Sequence, residues 1–139
     1  MTTSIEDYLE VIHELMEEKG YARSVDISKY LRVTSPSVTS MLRRLDKMGL
    51  VVYEKYRGIT LTPKGERLAR SVKERHLIIA KFLRILGVGE VTAHSDAEGI
   101  EHHVHPITID RITSFVDFIE GNPEWFAVFE RTPNIHAPK

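Results

Sequence analysis

Cysteine is absent from the chain, which excludes a disulfide frame, a thiolate zinc site and a cysteine nucleophile. Any metal must bind through oxygen and imidazole. No apolar run reaches the ~20 residues that a bilayer span requires, and the opening MTTSIEDYLE is acidic where a signal peptide would be basic and then apolar. The expected compartment is therefore the cytoplasm. A phosphate-binding loop and a recognisable nucleophile are both missing, which counts against a di-metal hydrolase.

What is present is 139 residues with 42% hydrophobic content, enough for one domain of common size or two small ones. The net charge of -1 conceals an asymmetry. Residues 1–20 carry one Lys against six acids, residues 21–75 carry 13 Lys and Arg against five acids, and residues 76–139 carry five against nine. A basic middle between acidic ends points to a polyanion, nucleic acid first, for the middle and to a cation for the ends.

In the middle, SVDISKYLR and PSVTSMLRRLDKMG read as two short helices joined by a tight connection. Ser35 is the expected N-cap of the second, Pro36 its first helical residue and Gly49 its stop. Val38, Met41, Leu42, Leu45 and Met48 form its buried stripe. Winding at about 100° per residue places Pro36, Ser40, Arg43 and Lys47 opposite, flanked by Thr39 and Arg44. Short polar side chains lead and long cations follow, as a helix entering a major groove requires. Ser35, Pro36, Ser37, Thr39, Ser40, Arg43, Arg44 and Lys47 are the candidate DNA contacts; a merely solvated face is the plain alternative. LVVYEKYRGITLT then reads as a β-hairpin with Lys55 and Arg57 at its tip. A basic hairpin directly after such a helix is the wing of a winged helix, with its cations meeting phosphate.

Thr62 and Pro63 open a long helix that Gly87 ends, with Leu68, Val72, Ile79, Leu83 and Leu86 as its apolar stripe. His76 lies in that stripe, where a satisfied core residue is the ordinary reading. Two segments could bring acids to it. In SIEDYLEVIHELMEEKG the inner face is Ile5, Leu9, Ile12 and Met16, bordered by Asp7 and Glu10. With Ser4 as N-cap, Asp7 is also explained as a capping carboxylate, and Glu10 as a solvated acid. The other segment is EGIEHHVH. On a helix from about Thr92 to Val104, Ala97, Ile100 and Val104 face inward, while Glu98, Glu101 and His102 share one side. Such a set can bind a divalent ion, and a solvated face remains the alternative. His103 points away, and Pro106 ends the helix near the undecided His105.

The order of these elements, with EKYRGITLTPKG and GIEHH, resembles the diphtheria-toxin-repressor-like metalloregulators over about residues 4–120, and most of all their manganese-responsive members. The resemblance implies a mainly α protein. An N-terminal winged helix-turn-helix domain would span residues 1–70 and a helical metal-binding and dimerisation domain residues 71–139, linked by a long helix over about 63–86. It implies a homodimer on double-stranded palindromic operator DNA, and a metal site made by Asp7, Glu10, His76, Glu98, Glu101 and His102. Two Mn(II) ions per subunit are the implied cofactor. Iron-responsive relatives carry softer sulfur ligands at the positions of Asp7 and Glu98; the present set of carboxylates and imidazoles suits octahedral Mn²⁺. The expected function is a manganese-dependent repressor of metal-uptake genes, not an enzyme. An iron- or zinc-responsive repressor, an organic-ligand regulator and a di-metal hydrolase are the alternatives. Longer relatives add an SH3-like domain, for which this chain is too short. ITIDRITSFVDFIEG offers Ile109, Ile112, Phe115, Val116 and Ile119 as a two-fold interface. Trp125, Phe126 and Phe129 are expected to pack on the dimer domain, and the Pro-rich end to fray.

Overall fold

The computed structural model describes residues 4–54 and 56–134. The chain order is α1 (Ile5–Lys19), α2 (Ser24–Leu31), α3 (Ser35–Lys47), β1 (Val51–Glu54), β2 (Gly58–Leu61), α4 (Pro63–Ile85), α5 (Glu90–Ile100), α6 (Pro106–Gly121) and α7 (Pro123–Glu130). The fold is mainly α with one hairpin, as expected. Two compact units divide it, Met1–Lys73 and Glu74–Lys139, and α4 runs through the boundary. Among the described residues no helix is long and apolar enough to cross a membrane.

The first unit is a helix-turn-helix with a wing. Leu9, Ile12, Ile27, Val38, Leu45, Leu50 and Ile59 form its core, contributed by α1, α2, α3 and the hairpin. Ser4 caps α1 through a reciprocal pair: its Oγ accepts from the Asp7 N–H at 3.1 Å, and the Asp7 carboxylate accepts from the Ser4 N–H at 2.9 Å. The α2–α3 turn carries Arg32 in the left-handed region at φ 55°. A bond of 2.6 Å from Ser28 Oγ to the Val33 carbonyl spans that turn.

The N-cap of α3 is Thr34 rather than Ser35, and its hydroxyl accepts from the Ser37 N–H at 3.3 Å. Pro36 consequently sits one position deeper, still within the first turn, where the missing N–H has no intrahelical partner to lose. The far end of α3 closes as expected at Gly49, with φ 73°. The Leu50 N–H reaches the Leu45 carbonyl at 2.9 Å and the Gly49 N–H the Asp46 carbonyl at 3.0 Å, a Schellman closure. Val38 and Leu45 are buried and Met41 and Leu42 partly so, but Met48 is exposed, because the helix ends there and its side chain leaves the stripe.

The wing pairs Val51 with Leu61, Val52 with Thr60, Tyr53 with Ile59 and Glu54 with Gly58. Ala22 and Ile59 exchange two backbone bonds of 2.8 Å, which stitch the hairpin to the segment before α2. Gly65, in the first turn of α4, lies against the Leu50 backbone so closely that a Cβ would overlap the Leu50 carbonyl.

In the second unit α4 ends by the same device as α3. Gly87 adopts φ 100°, and the Val88 N–H donates to the Leu83 carbonyl at 3.0 Å. Ile79, Ala80 and Ala97 are the buried centre, with Ile78, Leu83, Val104 and Ile109 against them. Phe82 meets Phe115 edge-on at 5.7 Å, and Lys81 pairs with Glu120 at 2.8 Å, joining α4 to α6. Of the α4 stripe, Val72 and Ile79 are buried and Leu83 partly so; Leu68, and Leu86 just past the helix, are exposed in the single chain.

Two expectations are corrected here. The helix expected to reach Val104 ends at Ile100, and Glu101–His103 form a turn in which the His103 N–H bonds the Ile100 carbonyl at 2.9 Å. Pro106 begins α6 and holds His105 extended, so the chain must leave the helix before it. Ile100 is exposed as a result. Residues 123–130 form α7, in which Phe126 is half-buried while Trp125 and Phe129 stay exposed in the single chain. The expected fraying of the tail falls, from residue 135 on, outside the described residues.

Candidate metal centre and nucleic-acid interface

The end of α5 turns a carboxylate inward. Glu101 keeps a helical backbone (φ -57°, ψ -26°), and its N–H bonds the Ala97 carbonyl at 2.9 Å. The three-residue spacing to Glu98 thus survives the end of the helix, whereas His102 sits in the turn that follows. Glu101 is 1% exposed and belongs to the buried group, while Glu98 is exposed. A buried carboxylate is costly unless cations or strong donors surround it. Here imidazoles do: Glu101 Oε2 lies 2.8 Å from His76 Nδ1, and Oε1 lies 3.3 Å from His102 Nε2. The side chains of His76 and His102 are 16% and 13% exposed. One donor atom from each of His76, Glu98 and Glu101 falls within 4.8 Å of the others, close enough to hold one ion.

These donors are oxygen and imidazole nitrogen, a set that a hard or borderline divalent ion accepts. The residues present therefore fit a divalent metal. His76 is brought to the site by the middle of α4, Glu98 by the last turn of α5 and Glu101 by its cap. Asp7 lies in the first turn of α1, where it also serves the capping box, and Glu10 one turn further on; both are partly buried. His103 is exposed, and His105 stands at the N-cap of α6 with its side chain exposed.

One residue of this neighbourhood escapes the sequence reading. His94, on the second turn of α5, places Nδ1 3.0 Å from His76 Nε2, with the ring centroids 5.2 Å apart and the ring planes within 23° of each other. A signal existed: His94, Glu98 and Glu101 are spaced four and three apart, on one helical face.

In the first unit, Ser35, Pro36, Ser37, Thr39, Ser40, Arg43, Arg44 and Lys47 are all exposed on α3, opposite Val38 and Leu45. Arg57 is exposed at the wing tip beside Tyr56, and its guanidinium lies 3.5 Å from Glu54. Lys55 lies outside the described residues. The structure thus presents one helix whose outer face is short and polar at its start and cationic at its end, with a basic hairpin following it. That surface can approach base edges and phosphates together.

Residues 1–59 match the family described as "Iron dependent repressor, N-terminal DNA binding domain", and residues 62–125 match "Iron dependent repressor, metal binding and dimerisation domain". The chain belongs to the iron-dependent repressor family. It is a DNA-binding transcriptional regulator rather than an enzyme, and its second half is of the metal-binding and dimerising kind. It is 47% identical over 135 residues to the HTH-type transcriptional regulator MntR of Lysinibacillus sphaericus (strain C3-41), with 97% of each chain covered. To the MntR of Bacillus pumilus (strain SAFR-032) it is 50% identical over 123 residues, covering 88% of this chain and 85% of that one. Among solved structures, the manganese regulator SloR superposes with a TM-score of 0.74 at 34% identity, over 85% of this chain. The chain spans 55% of the length of SloR.

Proposed function

We propose that this protein is a manganese-dependent transcriptional repressor of metal-uptake genes, acting in the cytoplasm as a homodimer on palindromic operator DNA. The observation that carries the proposal is the buried Glu101 carboxylate between His76 and His102, with Glu98 beside it. In this reading His76, Glu98, Glu101 and His102, with Asp7 and Glu10 from α1, hold two Mn(II) ions per subunit. Four carboxylates and two imidazoles without sulfur favour a hard ion, and the kinship to a manganese regulator supports the same choice.

The ions supply positive charge where the carboxylates would otherwise repel one another. Asp7 and Glu10 belong to the helix that also carries the core residues Leu9 and Ile12 of the reading head, so tying their carboxylates restrains that head. Two heads held at a fixed separation read two half-sites one helical turn or a multiple apart. Ser35, Pro36, Ser37, Thr39 and Ser40 approach base edges, while Arg43, Arg44, Lys47, Lys55 and Arg57 meet phosphate or guanine. A bias of a few kcal/mol toward the DNA-competent arrangement is enough to move most of the population.

The family description names iron, which makes an iron-responsive repressor the second reading. Glu98→Ala and His102→Ala test the site: each should abolish metal-dependent operator binding while the fold, read by circular dichroism, persists. Normal activation of both variants by Mn²⁺ would contradict the ligand assignment.

A further inference from the structure

We infer that His94 is a positioning residue for the metal centre: it accepts the ring proton of His76 and thereby leaves His76 Nδ1 free to bind the ion. The inference rests on the metal-site reading above and concerns a residue outside the six ligands proposed there.

A neutral imidazole carries one proton on one of its two nitrogens. His76 Nδ1 faces Glu101 Oε2 at 2.8 Å, and His76 Nε2 faces His94 Nδ1 at 3.0 Å. The nitrogen that joins Glu101 and Glu98 in holding a cation must offer a lone pair. Nδ1 is the nitrogen on that side, so the ring proton must lie on Nε2. An N–H there needs an acceptor, and His94 Nδ1 is within hydrogen-bond distance of it. His94 then carries its own proton on Nε2. A ligating histidine commonly fixes its tautomer by donating its remote N–H in this way.

The same contact serves the metal-free protein with the protons reversed. Beside the Glu101 carboxylate the favoured tautomer of His76 has Nδ1–H donating to Oε2, and Nε2 then accepts from His94 Nδ1–H. With one proton on each ring, the pair can pass between the two arrangements without gaining or losing a proton. Without His94, the proton displaced from His76 Nδ1 must find water instead.

His94 is not placed as a ligand. Its Nδ1 is turned to the His76 ring, and the group of donors within 4.8 Å that includes His76 is completed by Glu98 and Glu101. The two rings lie edge to edge within 23° of coplanar, so the same contact also orients the plane of the His76 ring. His94 is only partly buried, on a helix whose core contacts come from Ala93 and Ala97. Its replacement should therefore spare the fold.

The test compares His94→Ala and His94→Asn with the wild-type chain. Asn is the informative variant because its side-chain carbonyl occupies about the position of Nδ1 and can accept the same proton. Mn²⁺ binding is followed by the electron paramagnetic resonance signal of the free ion, and the protonated nitrogen of His76 by ¹⁵N spectra of the protein loaded with diamagnetic Cd²⁺. His94→Ala is expected to weaken Mn²⁺ binding about 10- to 100-fold, with unchanged ion count, and His94→Asn to restore most of the loss. The spectra should place the His76 proton on Nε2 in the wild type and in His94→Asn. Affinity of His94→Ala within two-fold of wild type, or no rescue by Asn, would overturn the inference while leaving the metal site standing. Loss of one bound ion in His94→Ala would make His94 a ligand and also overturn it. If the wild-type chain takes up no Mn²⁺, the ligand assignment fails and this inference falls with it.

Discussion

Glu101 Oε2 lies 2.8 Å from His76 Nδ1, and the carboxylate that makes this contact is among the most deeply buried side chains of the protein. A sealed carboxylate facing imidazoles is a place prepared for a cation, and removing its charge has a definite consequence. Glu101→Gln keeps the shape and loses the ligand. With free Mn²⁺ at about 100 times the dissociation constant, the wild type should gain about 2.7 kcal/mol of stability. Glu101→Gln should show little of that gain in thermal melts with and without Mn²⁺, and an equal upward shift in both proteins would refute its role.

The two roles read for Asp7 can be separated. Ser4→Ala removes half of the capping box and should cost about 0.5–2 kcal/mol of stability, while leaving metal-dependent DNA binding intact. Asp7→Ala should cost a similar amount of stability and impair activation as well. Chemical denaturation alongside operator binding distinguishes them; equal activation in the two variants would reduce Asp7 to a cap.

Phosphate contacts leave a signature in salt. If Arg43 and Arg57 each neutralise one phosphate, Arg43→Ala and Arg57→Ala should each lower the slope of log K against log [salt] by about 0.9. Exposed as both are, neither change should alter the melting temperature. A slope unchanged in Arg57→Ala would remove the wing tip from the interface.

Ile107, Phe115, Phe118 and Trp125 are exposed apolar residues on α6 and α7 of the single chain. In a dimerising domain such residues are candidates for the surface between copies. Phe118→Glu should shift sedimentation toward monomer and weaken operator binding, since a lone head reads only one half-site. A dimer as tight as wild type would place the interface elsewhere.

The start of α4 is sterically fixed. Gly65→Ala would drive a methyl group into the Leu50 carbonyl, and the forced shift should cost about 1–3 kcal/mol. A denaturation midpoint unchanged from wild type would show that the helix start moves freely.

Much of this architecture was readable from residue order. The stripe Val38, Leu45 and the stop at Gly49 placed α3, and the alternation after Leu50 placed the wing, because both depend on local periodicity and turn chemistry. The end of α5 was not readable, since Glu98, Glu101 and His102 fit an unbroken helix equally well. The turn over Glu101–His103 belongs to tertiary structure that periodicity does not encode. His94 was overlooked for a related reason: its meaning comes from His76, 18 residues away on another helix. Trp125 and Phe129 looked like core, yet in one chain they face outward, where an apolar residue awaiting a partner and one already buried read alike.

The most direct measurement is fluorescence-anisotropy binding of a labelled palindromic promoter site at fixed salt, in chelator and then with Mn²⁺, anaerobic Fe²⁺, Zn²⁺ and Co²⁺. The account predicts that Mn²⁺ tightens binding by about tenfold or more, which corresponds to about 1.4 kcal/mol of coupling, and at a lower free concentration than Fe²⁺ requires. Binding equally tight in chelator would contradict it.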